Sequence, residues 1–159
     1  MSESTDLPER ISVMYVDDEE NNLISFKAAF RRDFQVYTAL SAAEALETLR
    51  KETIHVLITD QRMPQTLGTE LLAQVVEEQP DQIRILLTGF SDIDALQDAV
   101  NRGQIFRYLQ KPWKDDDLRE TILAGARVYF LKKKQRELTE QLKLTNEQLE
   151  FVLRQKLLS

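Results

Sequence analysis

The stretch Val56-Leu57-Ile58-Thr59-Asp60 decides the fold of this chain. It is a short β-rich run with no polar alternation, the pattern of a strand buried on both faces of a parallel sheet, and it closes on a carboxylate. The same grammar recurs along the chain. Ile11-Ser-Val-Met-Tyr-Val16 is followed by Asp17 and Asp18, Ile83-Arg-Ile-Leu-Leu87 by Thr88, and Phe106-Arg-Tyr-Leu-Gln110 by Lys111. Strand-like runs are therefore expected near 11–16, 34–39, 55–59, 83–87 and 105–109. Ligands of parallel sheets bind in the crevice at the strands' carboxyl ends. Separate segments thus deliver three carboxylates, a hydroxyl and an ammonium to one sheet edge.

Between these runs, apolar residues recur at helical spacing. Leu23, Phe26, Ala29 and Phe30 form one face, and Ala42, Ala45, Leu46 and Leu49 a second. Ser41 with Glu44 three residues on is a capping-box signature for that second helix. Leu71, Leu72, Val75 and Val76 mark a third. A fourth opens at Ser91, with Asp94 in the equivalent place, and runs through Ile93, Leu96 and Val100 towards Asn101-Arg-Gly103. Asp115-Asp-Asp117 starts a fifth, since acidic residues favour a helix N-terminus. Strict β/α alternation with right-handed crossovers predicts an α/β fold, a doubly wound five-stranded parallel sheet.

Residues 1–9 read as a flexible leader, 10–125 as the compact domain and 126–159 as a helical extension. No Gly or Pro interrupts the chain after Gly125, and Leu131, Leu138, Leu142, Leu149 and Val152 keep a three-and-four spacing if Gln135 and Thr145 occupy two seam positions. That spacing predicts a modest coiled coil and a homodimer through the C-terminal helix. Ending within a helical pattern, the chain is expected to be the front part of something longer, with the extension linking to an output domain.

Bulk properties narrow the function classes. A length of 159 residues with 42% hydrophobic and 30% charged content describes one globular domain with an extension. The net charge of -6 gives no overall attraction to nucleic acid or anionic membranes. The absence of cysteine excludes disulfides, thiolate metal sites and cysteine nucleophiles. The polar start Met-Ser-Glu-Ser-Thr-Asp is unlike a signal peptide, and no apolar stretch approaches the ~20 residues of a membrane span. A cytoplasmic location and no membrane partner are expected. The basic run around Lys132-Lys-Lys134 is followed by acidic residues and reads as a solvated face, so no nucleic-acid binding is expected of this chain. His55, the only histidine, sits at the start of its strand, away from the active edge, and reads as structural. Trp113 is expected to pack against the last helix.

Asp17, Asp18 and Asp60 would repel one another strongly if left alone, and a divalent cation resolves the conflict. Oxygen-only ligands suit Mg2+. One carboxylate is then free to act as a nucleophile towards phosphorus. Phosphoryl transfer is mostly positioning and electrostatics, and Lys111 with the Thr88 hydroxyl supplies positive charge and a donor for the phosphoryl oxygens. Gly89 leaves space for the group to enter.

The sequence resembles the receiver domains of two-component response regulators. The resemblance rests on Asp17-Asp18, on Asp60-Gln-Arg-Met-Pro64 with Gly68, on Thr88-Gly89, and on Tyr108 three residues before Lys111-Pro112. It implies a flavodoxin-like (β/α)5 receiver in which Asp60 is phosphorylated by a phosphohistidine of a sensor histidine kinase or phosphotransfer protein. It further implies that Asp18, Asp60 and the backbone carbonyl of Arg62 hold Mg2+ directly, with Asp17 acting partly through water. Thr88 and Lys111 would hold the phosphoryl oxygens, Thr88 and Tyr108 would form a switch pair, and the Lys111–Pro112 bond would be cis. The Arg62 side chain stands where the family tunes dephosphorylation. The Arg107-to-Trp113 stretch with the helical extension also resembles receivers fused to cyclic-di-GMP enzymes or histidine kinases.

The protein is accordingly expected to be a signalling receiver, catalysing only its own phosphorylation and autodephosphorylation. Two alternatives are an aspartyl-phosphate phosphatase acting on external phosphoesters and a coiled-coil adaptor with a vestigial receiver. Haloacid-dehalogenase-like phosphatases place a second Asp as general acid two residues after the nucleophile, and here that position is Arg62.

Overall fold

In the computed structural model, residues 7, 9–89, 93–101 and 104–158 are described. The expected helix cap at Ser91 and the Arg102-Gly103 helix end lie outside them, as do residues 1–6 and 8 of the expected leader. The elements alternate throughout: β1 (Ser12–Val16), α1 (Glu20–Phe30), β2 (Gln35–Ala39), α2 (Ala42–Lys51), β3 (Val56–Asp60), α3 (Gly68–Glu78), β4 (Ile83–Thr88), α4 (Ile93–Asn101), β5 (Arg107–Gln110) and α5 (Asp115–Leu158). The strands form one parallel sheet in the order β2-β1-β3-β4-β5. The five-stranded doubly wound fold is as expected. Asp60 and Thr88, expected just past their strands, are the last residues of β3 and β4.

The two-residue period of the strands sorts their side chains between two cores. Val13, Tyr15, Val56, Ile58, Ile83, Ile85 and Leu87 face α1 and α5, joining Phe26, Phe30, Leu118 and Ile122. Met14, Val16, Leu57 and Leu86 face the other way, joining Leu49, Leu71, Leu72, Val75 and Leu96. An aromatic row stiffens the first core: Tyr15 and Phe26 have ring centroids 4.7 Å apart, Phe26 and Phe30 4.7 Å, Phe30 and Phe34 6.2 Å. Burying each such side chain stabilises the fold by about 1.5–3 kcal/mol.

The capping box of α2 forms in a shifted version. The Ser41 hydroxyl accepts from the Glu44 N–H at 3.2 Å, while the Glu44 carboxylate takes the N–H of Leu40 at 2.8 Å, one residue earlier than the usual return bond.

Helix α5 runs unbroken for 44 residues, about 66 Å at 1.5 Å per residue. Its first turns are buried through Leu118, Thr121, Ile122, Gly125 and Ala126. A β-carbon at Gly125 would meet Ile83 at 2.6 Å, so glycine lets the helix lie close on the sheet. Contacts with the body continue past that point: Tyr129 and Phe130 pack on the His55 ring, and Arg136 pairs with Asp81. From Leu131 to Leu158 every residue is exposed. Of the stretch expected as a leader, Leu7 packs against the first core and Glu9 meets the His55 ring. The guanidinium of Arg10 donates to the carbonyls of Arg31 and Phe34.

Candidate functional site

The chain leaves β1 for β2 on one side and later enters β3 on the other. The carboxyl ends of β1 and β3 therefore lie at the point where the strand order reverses, the crevice in which doubly wound sheets bind ligands. Asp17 and Asp18 follow β1, and Asp60 ends β3. These carboxylates each offer an oxygen within 4.8 Å of the others.

The adjacent acids have different environments. Asp17 is fully buried and accepts three hydrogen bonds. Its Oδ1 takes the Glu19 N–H at 2.9 Å, and its Oδ2 takes the Tyr15 hydroxyl at 2.6 Å and the Asn22 amide at 3.1 Å. Asp18 is exposed. Asp60 has a mostly buried side chain whose Oδ1 lies 2.8 Å from Lys111 Nζ.

Burial pushes the Asp60 carboxyl above the ordinary carboxylate range; Lys111 pulls it back, and the neighbouring Asp17 charge pushes it further up. The Tyr15 phenol is likewise held above its usual value, by burial first and then by its bond to Asp17. The donor set is all oxygen and converges from two strand ends, with the Lys111 ammonium against Asp60. These residues fit a hard divalent cation such as Mg2+.

Strands β4 and β5 bring in the remaining groups. Thr88 pairs with Gln110, and Lys111 N–H donates to the Thr88 carbonyl at 2.8 Å. The Lys111–Pro112 bond is cis, as expected. The Thr88 hydroxyl is buried and donates to the Gly89 carbonyl at 3.2 Å. A β-carbon at Gly89 would meet nothing within 4 Å, so the space beside it is open. Tyr108 pairs with Leu86 two residues before Thr88, and residues two apart share a face, so Tyr108 and Thr88 lie on the same side of the sheet. Tyr108 is half-buried against the second core.

Other expected residues take separate places. Arg62 is exposed on the loop after β3. His55 lies at the opposite end of β3, where its Nδ1 accepts the Ser12 N–H at 2.9 Å and its Nε2 faces Glu9 at 3.1 Å. Burial lowers its pKa, with Glu9 opposing that shift. It packs as a neutral ring, far along the strand from Asp60. Trp113, expected against the last helix, packs on the first core, to which that helix contributes Leu118 and Ile122, and stands nearly perpendicular to the Tyr15 ring with centroids 6.2 Å apart.

Two supporting residues escaped the sequence reading. Helix α3 has Leu67 at its N-cap and no cap from its own side chains. Gln61 fills that role from the far end of the loop: its Oε1 accepts the Thr69 N–H at 3.0 Å, and its carbonyl accepts the Gly68 N–H at 2.9 Å. A β-carbon at Gly68 would fall 2.4 Å from the Asp60 carbonyl oxygen. Gln61 and Gly68 together press the start of α3 onto the end of β3 and so fix Asp60. The missing N-cap was a signal for Gln61. The other residue is Tyr15, whose phenol stands out in an aliphatic strand two residues before Asp17.

Comparison with known proteins gives a consistent result. A family model described as the response regulator receiver domain matches residues 13–123. The hydrogenase transcriptional regulatory protein HoxA of Bradyrhizobium diazoefficiens is 33% identical over 122 residues, covering 77% of this chain and 25% of that protein. HoxA of Cupriavidus necator is 35% identical over 111 residues, covering 70% and 23%. The chain thus spans about a quarter of the length of these curated relatives. A solved structure described as an adenylate cyclase from Rhodopirellula baltica superposes with a TM-score of 0.81 at 34% identity, covering 83% of this chain and 98% of that one. The signal receiver domain of an HD domain-containing protein from Pseudomonas fluorescens gives 0.74 at 29% identity, covering 80% and 95%.

Proposed function

We propose, on the premise that this chain belongs to the receiver-domain family of two-component response regulators, that Asp60 is the side chain that takes up the phosphoryl group. Receivers of this family are phospho-accepting signalling domains, partner with histidine kinases or phosphotransfer proteins, and generally bind Mg2+ at an aspartate cluster. The observation that carries the assignment is Lys111 Nζ at 2.8 Å from Asp60 Oδ1, beside carboxylates whose oxygens lie within 4.8 Å. In the reaction, an Asp60 oxygen attacks phosphorus, the bond from phosphorus to the donor's imidazole nitrogen breaks, and that nitrogen recovers a proton. The phosphoryl oxygens are received by the Lys111 ammonium and the Thr88 hydroxyl, which gives up its present bond to the Gly89 carbonyl.

Asp18, Asp60 and the Arg62 carbonyl would hold Mg2+ directly, and the buried Asp17 partly through water. When bound, Mg2+ neutralises the carboxylates and the charge on the transferred group. Movement of Thr88 towards the phosphoryl group opens space on its face of the sheet for the half-buried Tyr108 ring. A local charge event thereby changes the α4–β5–α5 surface. The phosphatase alternative is disfavoured because position 62 carries an exposed arginine in place of a general acid. Among the described residues no helix is long and apolar enough to cross a membrane, and we place the chain with its kinase partner in the cytoplasm.

Mg2+ with beryllofluoride, a phosphoryl mimic, is expected to change Trp113 emission and the NMR signals of Tyr108. A folded protein that shows neither change contradicts the switch.

The extension supplies the output. Leu138, Leu142 and Leu149 are each more than half exposed, which a lone helix has no reason to maintain. Pairing two copies in parallel along this seam buries them. Sedimentation is expected to show a dimer that Leu142→Glu converts to monomer. A wild-type monomer at high concentration, with and without phosphorylation, rules the dimer out.

A further inference from the structure

We propose that Tyr15 is a positioning residue for Asp17, and that through Trp113 it ties the acidic end of β1 to the loop carrying Lys111. The inference rests on the reading of the aspartate cluster as a Mg2+ site. Tyr15 and Asp17 are two residues apart on the same strand path, and both are fully buried. The phenol donates to Asp17 Oδ2 at 2.6 Å, the shortest of the three bonds that carboxylate accepts. A carboxylate has about four lone-pair sites. With three taken by Tyr15, Asn22 and the Glu19 amide, the rotation of Asp17 is fixed and one direction remains for a water or an ion.

An aliphatic residue at position 15 would fill the same core volume but supply no donor. The aromatic ring itself packs on two others: the Phe26 and Trp113 ring centroids lie 4.7 Å and 6.2 Å from its own, the Trp113 ring nearly perpendicular to it. Trp113 follows Lys111 by two residues, across the cis Lys111–Pro112 bond, and Lys111 reaches Asp60. The contacts therefore form a path from Asp17 through Tyr15, Trp113 and Lys111 to Asp60, whose carboxylate comes within 4.8 Å of that of Asp17. A change in how Asp17 is engaged reaches the lysine loop through one phenol and one indole, without passing through Thr88 or Tyr108.

The test is Tyr15→Phe in the full chain, which removes one oxygen and leaves the ring. Outer partners of metal ligands commonly hold about 10–100-fold of metal affinity. Calorimetric titration with Mg2+ is expected to show binding about tenfold weaker than wild type, at the low end of that range. The emission change of Trp113, the only tryptophan, on Mg2+ addition is expected to shrink in parallel. The Mg2+-free protein is expected to keep a cooperative melt. Asn22→Ala, which removes the longer bond to the same oxygen, is expected to weaken Mg2+ in the same direction but less. If Tyr15→Phe binds Mg2+ as tightly as wild type or tighter, the positioning role is overturned. If Tyr15→Phe loses its cooperative melt, unchanged affinity in Asn22→Ala overturns it instead. Absence of Mg2+ binding by folded wild-type protein removes the metal reading itself, and this proposal with it.

Discussion

Replacing Asp60 with asparagine is expected to abolish phosphoryl uptake and, in the same protein, to raise stability at neutral pH. The first effect follows from chemistry. In the proposed role the carboxylate oxygen is the nucleophile, an amide cannot take its place, and loss of a nucleophile lowers the rate by at least about 10³-fold. The second follows from burial. The Asp60 carboxyl is held above its ordinary range because it is desolvated and stands near Asp17, and Lys111 only partly offsets this. A folded state that binds the proton more tightly than the unfolded chain gains stability below the ordinary value of about 4 and loses it as pH rises through the elevated one. At neutral pH the ionised carboxylate is therefore a cost that asparagine, with the same shape and no charge, removes. Thermal melts without Mg2+ should show Asp60→Asn melting higher at neutral pH, with the difference fading in acid. Phosphodonor labelling read by mass spectrometry checks the first effect. Residual labelling at wild-type rate would move the acceptor elsewhere, and a lower melting point at neutral pH would mean the Lys111 contact outweighs burial.

Lys111→Ala is expected to slow phosphorylation by about 10²–10³-fold, the usual cost of removing one preorganised donor to the developing charge. The ammonium is in place before any ligand arrives, 2.8 Å from Asp60 Oδ1 on a side chain about one-third exposed. Its backbone is anchored by the Lys111 N–H bond to the Thr88 carbonyl. Removing the ammonium also takes away the charge that pulls the Asp60 carboxyl down, so its pKa should climb further. Lys111→Arg is expected to restore little, because a planar guanidinium presents a different fork from a point charge. Rates with a small phosphodonor, compared across the variants at fixed Mg2+, decide this. A Lys111→Ala protein labelled as fast as wild type would assign the phosphoryl contact to another cation.

Much of this arrangement was legible as sequence because it depends on short-range periodicity. Non-alternating runs ending in Asp60, Thr88 and Lys111 identified strands buried on both faces, since only such strands need apolar residues at every position. The strand-end rule then placed their last residues on one edge. The helices followed from three-and-four spacing, and α5 from an uninterrupted run without Gly or Pro. The structure differs mainly in detail there: Asp60 and Thr88 are the last residues of their strands rather than the first beyond them.

What sequence by itself determined is the set of elements, their order, and which polar residues meet at the carboxyl edge. The tertiary structure alone decided how those residues differ. Asp17 and Asp18 are identical neighbours in the chain, yet one is fully buried under three donors and the other is exposed. Gln61 caps a helix from eight residues away, Gly68 presses on the Asp60 carbonyl, and Trp113 packs nearly perpendicular to Tyr15 and not on the last helix alone. The physical reason is common to all of them. Periodicity reports which side of an element a residue faces, whereas burial, pairing and close approach depend on which other element the fold brings to that side.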